Sequence, residues 1–146
     1  MSEQIHARVD LATEQLDMAL VLFLEKHSYV SALTLAGAAE EIFGKALAHQ
    51  GKEYSLKWKF GAVAPVYQAL HGKQLTWSEF VDDENQARNA AKHIKLPTEP
   101  TVTMDIEDAA VWMLVRARDN FIRLGLPQTD RMLVFENWFY EHVIGV

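Results

Sequence analysis

The stretch ARNAAKHIK, residues 87–95, holds three side chains that could act together on a phosphodiester, namely Arg88, Asn89 and His93. A neutral histidine can accept the proton of a ribose 2′-hydroxyl. An arginine can bind a phosphate through two parallel hydrogen bonds and offset the charge that builds on its oxygens. An asparagine can position either group by a hydrogen bond. The combination of these three residue types predicts metal-independent cleavage of RNA, with Arg88, Asn89 and His93 as the catalytic residues.

On a helix, Arg88 and His93 lie about 140° apart, so they could flank a cleft but could not grip one small group from a flat surface. A single histidine cannot be base and acid at the same moment. A second copy across a two-fold axis would supply the missing partner, so we expect a homodimer. Lys92 and Lys95 would raise the positive potential for the RNA. The alternative interpretation is an ordinary solvated helix face, because such faces commonly carry lysine, arginine and histidine.

The whole chain is acidic, with a net charge of −6, which argues against broad contact with duplex DNA and leaves room for a local basic site. It has no cysteine, which excludes disulfides, zinc–thiolate sites and thiol nucleophiles. The H-E-x-x-H spacing and glycine-rich phosphate loops are absent, so we expect no metal and no cofactor. We see no secretory signal and no apolar run long enough for a bilayer, and we therefore expect a cytoplasmic protein without a membrane partner.

Helical periodicity runs through nearly all of residues 1–146, which we expect to form a single domain. One apolar stripe recurs at spacings of three and four on the first helix, and a second one recurs on a helix that begins at Asp105. The two stripes are Ile5, Val9, Ala12, Leu16, Ala19 and Phe23, and then Ala110, Leu114, Ala117, Phe121 and Leu124. With no convincing strand, the fold class is all-α, a compact bundle of five or six helices.

Sequence signals place the ends of the other helices. Ser28 can cap a second helix that Gly51 ends, and its centre is rich in alanine and glycine, so it is expected to lie centrally. The chain from Gly51 to about Lys59 is predicted as a loop before a short third helix. Thr76-Trp-Ser-Glu79 has the form of a capping box and begins a helix that is predicted to run through the motif to Lys95.

Two glutamates, Glu40 and Glu41, interrupt the apolar sequence of the second helix, so at least one of their side chains is expected to be partly buried. Glu41 and Lys45 have the spacing and orientation of an ion pair. The functional alternative is that Glu41 or Glu40 orients His93 from a second layer around the site. The C-terminal stretch VFENWFYEHVIGV is rich in aromatic residues and is predicted either to cover the bundle or to form a subunit interface.

The succession AGAAEEIFGKAL, RNAAKH and RARDNFIRLGL in a helical chain resembles the HEPN superfamily of small helical proteins, whose hallmark is R-x4–6-H with a polar residue often after the arginine. The matching positions are Arg88, Asn89 and His93, and the acidic residue before a lysine in the alanine-rich helix is Glu40 or Glu41 before Lys45. The resemblance implies a dimeric helical bundle and, in active members, a metal-independent endoribonuclease that serves as a toxin, in antiviral defence or in RNA processing.

Single-stranded RNA and an antitoxin or nucleotidyltransferase partner are further implications of this resemblance. One toxin branch carries a tyrosine two places after the histidine, where this chain has Lys95, so the chain departs from that branch. Other HEPN members lack nuclease activity. The competing hypothesis is therefore a non-catalytic helical module that binds a protein or a small ligand.

Overall fold

The computed structural model describes residues 1–93 and 100–146, and over these residues every regular element is a helix. Within these ranges there are seven α-helices, followed by a π-helical turn at Tyr140–Ile144. The helices are α1 (Arg8–Leu24), α2 (Tyr29–His49), α3 (Ser55–His71), α4 (Trp77–Glu84), α5 (Gln86–Lys92), α6 (Ile106–Arg123) and α7 (Asp130–Phe139). None of the helices in the described ranges has the length and apolarity needed to cross a bilayer.

Helix α2 is the centre of the molecule, as its small residues predict, and packs along both α1 and α6. Its buried face includes Ala32, Ala36 and Gly37, and small side chains allow neighbouring helices to approach closely. The stripes of α1 and α6 face the same core, with Ala12, Leu16, Ala19 and Phe23 buried on α1 and Ala110, Leu114, Ala117 and Phe121 buried on α6. Ile5 was expected on the first stripe, but it precedes α1 and is exposed.

The number of helices exceeds the expected five or six because the helix predicted from Thr76 onwards is two helices. Asn85 separates α4 from α5, with φ −105° and ψ 5°. Arg116 of α6 donates to the carbonyl oxygen of Glu84 at 3.1 Å and to Oδ1 of Asn85 at 3.2 and 3.1 Å. The backbone therefore turns where a buried arginine binds it. The predicted end of this helix at Lys95 lies outside the described residues.

Helix α3 also differs from the sequence prediction, because it begins at Ser55 and not after Lys59. The amide N–H of Ser55 donates to Oδ1 of Asn120 at 2.8 Å, which satisfies one of the donors that a helix start leaves free. Pro65 lies inside α3, where it removes the hydrogen bond to the carbonyl of Gly61. Both residues are exposed, so water can reach that carbonyl.

Two predicted helix starts are confirmed, and α7 is shown to contribute to the core. Thr76 and Glu79 form both bonds of a capping box, and Asp105 accepts from the N–H of Asp108. In α7, Met132 and Phe135 are buried against the core, whereas Leu133 and Val134 are exposed, as is Tyr140 in the π-helical turn that follows. One face of the aromatic segment therefore covers the bundle.

Candidate functional site

Arg88 of α5 lies across α2, against its two glutamates. One of its terminal nitrogens, Nη1, is 3.8 Å from Oε2 of Glu40 and 3.9 Å from Oε2 of Glu41, and the Arg88 side chain is 14% exposed. The stem of Arg88 crosses Gly37, where a Cβ would come within 2.5 Å of Cδ. Only glycine leaves room for this crossing. The structure thus brings the motif arginine and both predicted second-layer glutamates together.

A second arginine completes a buried ion cluster around Glu40. Arg116 donates from Nη2 to Oε1 of Glu40 at 3.0 Å, and both side chains are more than nine-tenths buried. Asn85 accepts from the same guanidinium. Because two charges in a protein interior lose most of their hydration, such a pair is stable only with good geometry and further hydrogen bonds, which Asn85 and the Glu84 carbonyl provide here.

The buried amide of Asn120 links this cluster to the start of α3. Its Nδ2 donates to the backbone carbonyl of Glu40 at 3.2 Å, while its Oδ1 accepts from the N–H of Ser55. Gly44 lies beside it, and a Cβ there would be 3.3 Å from Nδ2. Asn120 therefore fixes the relative positions of α2, α3 and α6 by hydrogen bonds.

Glu41 lies at the exposed rim of the cluster. Lys45 donates to its Oε1 at 2.7 Å, which confirms the predicted ion pair. The hydrogen bond from Lys45 lowers the pKa of the Glu41 carboxyl, and the charges of Lys45, Arg88 and Lys92 act in the same direction. Within the described residues, the contacts of the two glutamates are with cationic side chains and not with His93.

His93 stands at the C-terminal end of α5, where its backbone is extended and its side chain is exposed. Its backbone N–H donates to the carbonyl of Asn89 at 2.9 Å. Asn89 is half-buried and Lys92 is exposed. Within one chain, Arg88 therefore faces inward and His93 faces solvent. Lys95, the other predicted RNA-binding lysine, lies outside the described residues.

A cleft of about 250 Å³ opens beside Arg88, between α2, the start of α3, and α4. Its charged end is formed by Glu40, Glu41 and Arg88. Its other walls are apolar and aromatic, with Tyr54, Leu56, Trp77 and Val81. Among the residues that the structure describes, no three histidine or acidic side chains are grouped so that they could hold a metal ion.

Sequence reasoning assigned no role to several residues of this site, namely Asn85, Arg116, Asn120 and Trp77. A signal existed for two of them. Arg116 and Asn120 are four residues apart and flank Ala117 on the apolar stripe of α6, and a polar side chain on such a stripe is buried and needs a partner. For Trp77 the sequence gives no comparable signal.

Comparisons of the chain with protein-family models, with curated proteins and with solved structures find no match.

Proposed function

We propose that the chain is a HEPN-like, metal-independent endoribonuclease that acts as a homodimer, with its site composed around Arg88, Asn89 and His93 of two copies. One observation carries the proposal: the motif arginine lies against the acidic residues of the second helix, while the motif histidine stands exposed at the end of the same short helix. Exposure leaves the His93 ring accessible to RNA and to a second copy.

In the proposed reaction, the neutral imidazole of His93 takes the proton of a ribose 2′-hydroxyl, and the 2′-oxygen attacks the adjacent phosphorus. The bond from phosphorus to the 5′-oxygen breaks, and the leaving oxygen takes a proton from the protonated His93 of the second copy. The products are a 2′,3′-cyclic phosphate and a 5′-hydroxyl. The histidine pair exchanges roles for the next turnover once protons re-equilibrate with solvent.

The other side chains would bind and hold the RNA. Lys92 is exposed beside His93 and would contact the backbone phosphate, and Lys95 is assigned the same role. Arg88 would approach the scissile phosphate with the part of its guanidinium that remains accessible, while Glu40 and Glu41 hold its orientation. Asn89, which is half-buried, would position the phosphate or the imidazole by a hydrogen bond.

The test is cleavage of a generic single-stranded RNA in the presence of chelator by the unaltered protein and by His93→Ala. His49→Ala is the matched control, because His49 is also exposed at a helix end. We expect cleavage with 2′,3′-cyclic phosphate ends, a loss of at least about a hundredfold in His93→Ala, and no loss in the control. Absence of cleavage, or equal cleavage by His93→Ala, would refute the proposal.

A second candidate function is a non-catalytic module that binds a protein or a small ligand. The observation that favours it is the inward position of Arg88, whose charge already faces two carboxylates and which lines a cleft that His93 does not line. In that case the exposed face of α5 has no chemical role, and His93→Ala leaves every activity of the protein unchanged.

A further inference from the structure

The cleft beside Arg88 has a charged end with unused hydrogen-bond donors. Nε of Arg88 has no hydrogen-bond partner among the described residues, but it is enclosed beside Gly37, which does not line the cleft, so a ligand in the cleft would meet the terminal nitrogens. The two carboxylate oxygens nearest to its Nη1 lie at 3.8 and 3.9 Å, beyond hydrogen-bond distance. An arginine can donate five hydrogen bonds, so this guanidinium can donate to the oxygen atoms of a ligand without losing a hydrogen bond that it makes within the chain.

The formal charge of the ion cluster at this end is positive when Arg116, which binds Glu40 but does not line the cleft, is included. Arg88, Arg116 and Lys45 surround the two carboxylates of Glu40 and Glu41, which leaves one positive charge in excess. The strongest donors to Glu40 and Glu41 come from Arg116 and Lys45 at 3.0 and 2.7 Å, so both carboxylates are already neutralised by partners other than Arg88. The lowered pKa of the Glu41 carboxyl agrees with cationic surroundings.

The opposite wall of the cleft is aromatic. Tyr54 and Trp77 meet edge to face with ring centroids 6.4 Å apart, and Trp77 remains 40% exposed. Leu56 and Val81 add apolar surface next to them. A planar ring placed on this wall would cover the exposed indole, and aromatic pairs prefer such offset or edge-on contacts.

We propose that this cleft binds a small aromatic monocarboxylate, with the carboxylate on the guanidinium of Arg88 and the ring against Trp77 and Tyr54. The volume of about 250 Å³ suits one ring with a short acid side chain, because pockets for larger, drug-sized ligands measure roughly 300–1,000 Å³. A single negative charge matches the single excess positive charge. This inference goes beyond RNA cleavage and requires no part of that chemistry.

Isothermal titration calorimetry with three similar compounds that differ in charge tests which ligand charge the cleft prefers. The compounds are phenylacetate, phenylacetamide and phenethylamine, which are anionic, neutral and cationic at neutral pH. We expect phenylacetate to bind at least about ten-fold more tightly than the amide, because a hydrogen bond to an ionised group is the stronger one. Phenethylamine should bind more weakly still. Tighter binding of the amine, equal binding of all three, or no binding of phenylacetate at millimolar concentration overturns the proposal.

Variants locate the site. Ala48 is exposed and lines the cleft, so Ala48→Trp should fill it and abolish phenylacetate binding without disturbing the core. Ala62→Trp is the matched control, since Ala62 is exposed on α3 and does not line the cleft. Arg88→Lys should weaken binding about ten-fold, because lysine cannot make the two-pronged contact. Unchanged binding by Ala48→Trp would place the ligand elsewhere and contradict the proposal.

The ligand-binding proposal and the nuclease proposal can be refuted independently of each other. His93 does not line the cleft, so His93→Ala should bind phenylacetate as the unaltered protein does, whether or not that protein cleaves RNA. If RNA cleavage is absent and phenylacetate still binds, only the nuclease proposal is lost. A loss of phenylacetate binding in His93→Ala would contradict the assignment of the ligand to this cleft.

Discussion

At the scale of single residues, Glu40 is the group on which the candidate site depends. Its carboxylate lies between two arginines, and its backbone carbonyl accepts from Asn120. The neighbouring Glu41 has the same chemistry, but its side chain is 48% exposed and its closest partner is a surface lysine. The two adjacent glutamates therefore form a natural pair for comparing a buried carboxylate with an exposed one.

Glu40→Gln should lower the free energy of unfolding by about 3 kcal/mol, because it leaves the buried charge of Arg116 without its counter-ion. Glu41→Gln, the control, should lower it by less than about 1 kcal/mol, because an exposed pair is weakened by solvent. Urea denaturation at neutral pH measures both values. A cost for Glu41→Gln as large as that for Glu40→Gln would show that burial does not determine the difference.

At the scale of elements, the contact between α5 and α2 passes through Gly37. Helix α5 is seven residues long and has no fully buried residue, so its position depends on the packing of Ala87 and Ala91 against the core and on the path of the Arg88 side chain. The absence of a Cβ at Gly37 provides the space for the Arg88 stem. A change at Gly37 should therefore act on the site more than on the core.

Gly37→Ala should displace Arg88 and α5, since the added Cβ would lie 2.5 Å from Cδ of Arg88. Under the proposed function it lowers RNA cleavage by at least about ten-fold, because small misplacements in a site are costly. Gly61→Ala is the control, because its Cβ would meet nothing within 4 Å. That control should raise the free energy of unfolding by about 0.5–1 kcal/mol, as alanine favours helix over glycine. Full activity of Gly37→Ala would show that this crossing does not position the site.

The capping box at the start of α4 should make the stability of the protein depend on pH. The backbone N–H and the hydroxyl of Thr76 donate to the Glu79 carboxylate, and these hydrogen bonds lower its pKa. A carboxyl whose pKa is lower in the folded state stabilises it above the pKa of the unfolded chain, and this contribution is lost as the pH falls through the folded value. The stability difference between the unaltered protein and Glu79→Gln should thus be constant near neutral pH and shrink in acid. Urea denaturation across pH measures it, and a difference that grows in acid contradicts it.

Whether an element could be predicted from the sequence depends on how far apart along the chain its interacting residues lie. Apart from Ile5, the stripes of α1 and α6 were predicted correctly, because periodicity reports which side chains share a face. The break at Asn85 was not predictable in the same way, because Arg116, which binds it, is 31 residues further along the chain. The sequence correctly predicted the ion pair of Glu41 with Lys45, and it offered as the functional alternative that Glu40 or Glu41 orients His93. The contacts of the two carboxylates are instead with Arg88, Arg116 and Lys45.

At the scale of the whole molecule, the proposed reaction requires two copies of the chain. The net charge of −6 disfavours the binding of RNA to the protein as a whole, so RNA would have to be held by the basic groups at the end of α5. Two copies of the chain would bring two such groups to one RNA strand. Each copy would contribute one His93 to the proposed site, one as the base and the other as the acid.

Mixing the unaltered protein with an equal amount of His93→Ala should therefore reduce cleavage. After subunits exchange, about half of the unaltered chains are paired with a variant chain and lack either the base or the acid, so activity per unaltered chain should fall to about half. His49→Ala in the same mixture should cause no loss. Activity per unaltered chain that stays constant would mean that each copy carries a complete site.

The attachment of α3 has a consequence for its exchange with solvent. Only Leu56 of this helix is buried, and the hydrogen bond from the Ser55 N–H to Asn120 ties down its first turn alone. The amides beyond Gly61 can therefore open without disrupting the packing of α1, α2 and α6, and local openings of this kind have free energies far below that of global unfolding. In heavy water, the backbone amide hydrogens in the C-terminal half of α3 should exchange early, while those of α2 and α6 remain protected until the whole chain unfolds.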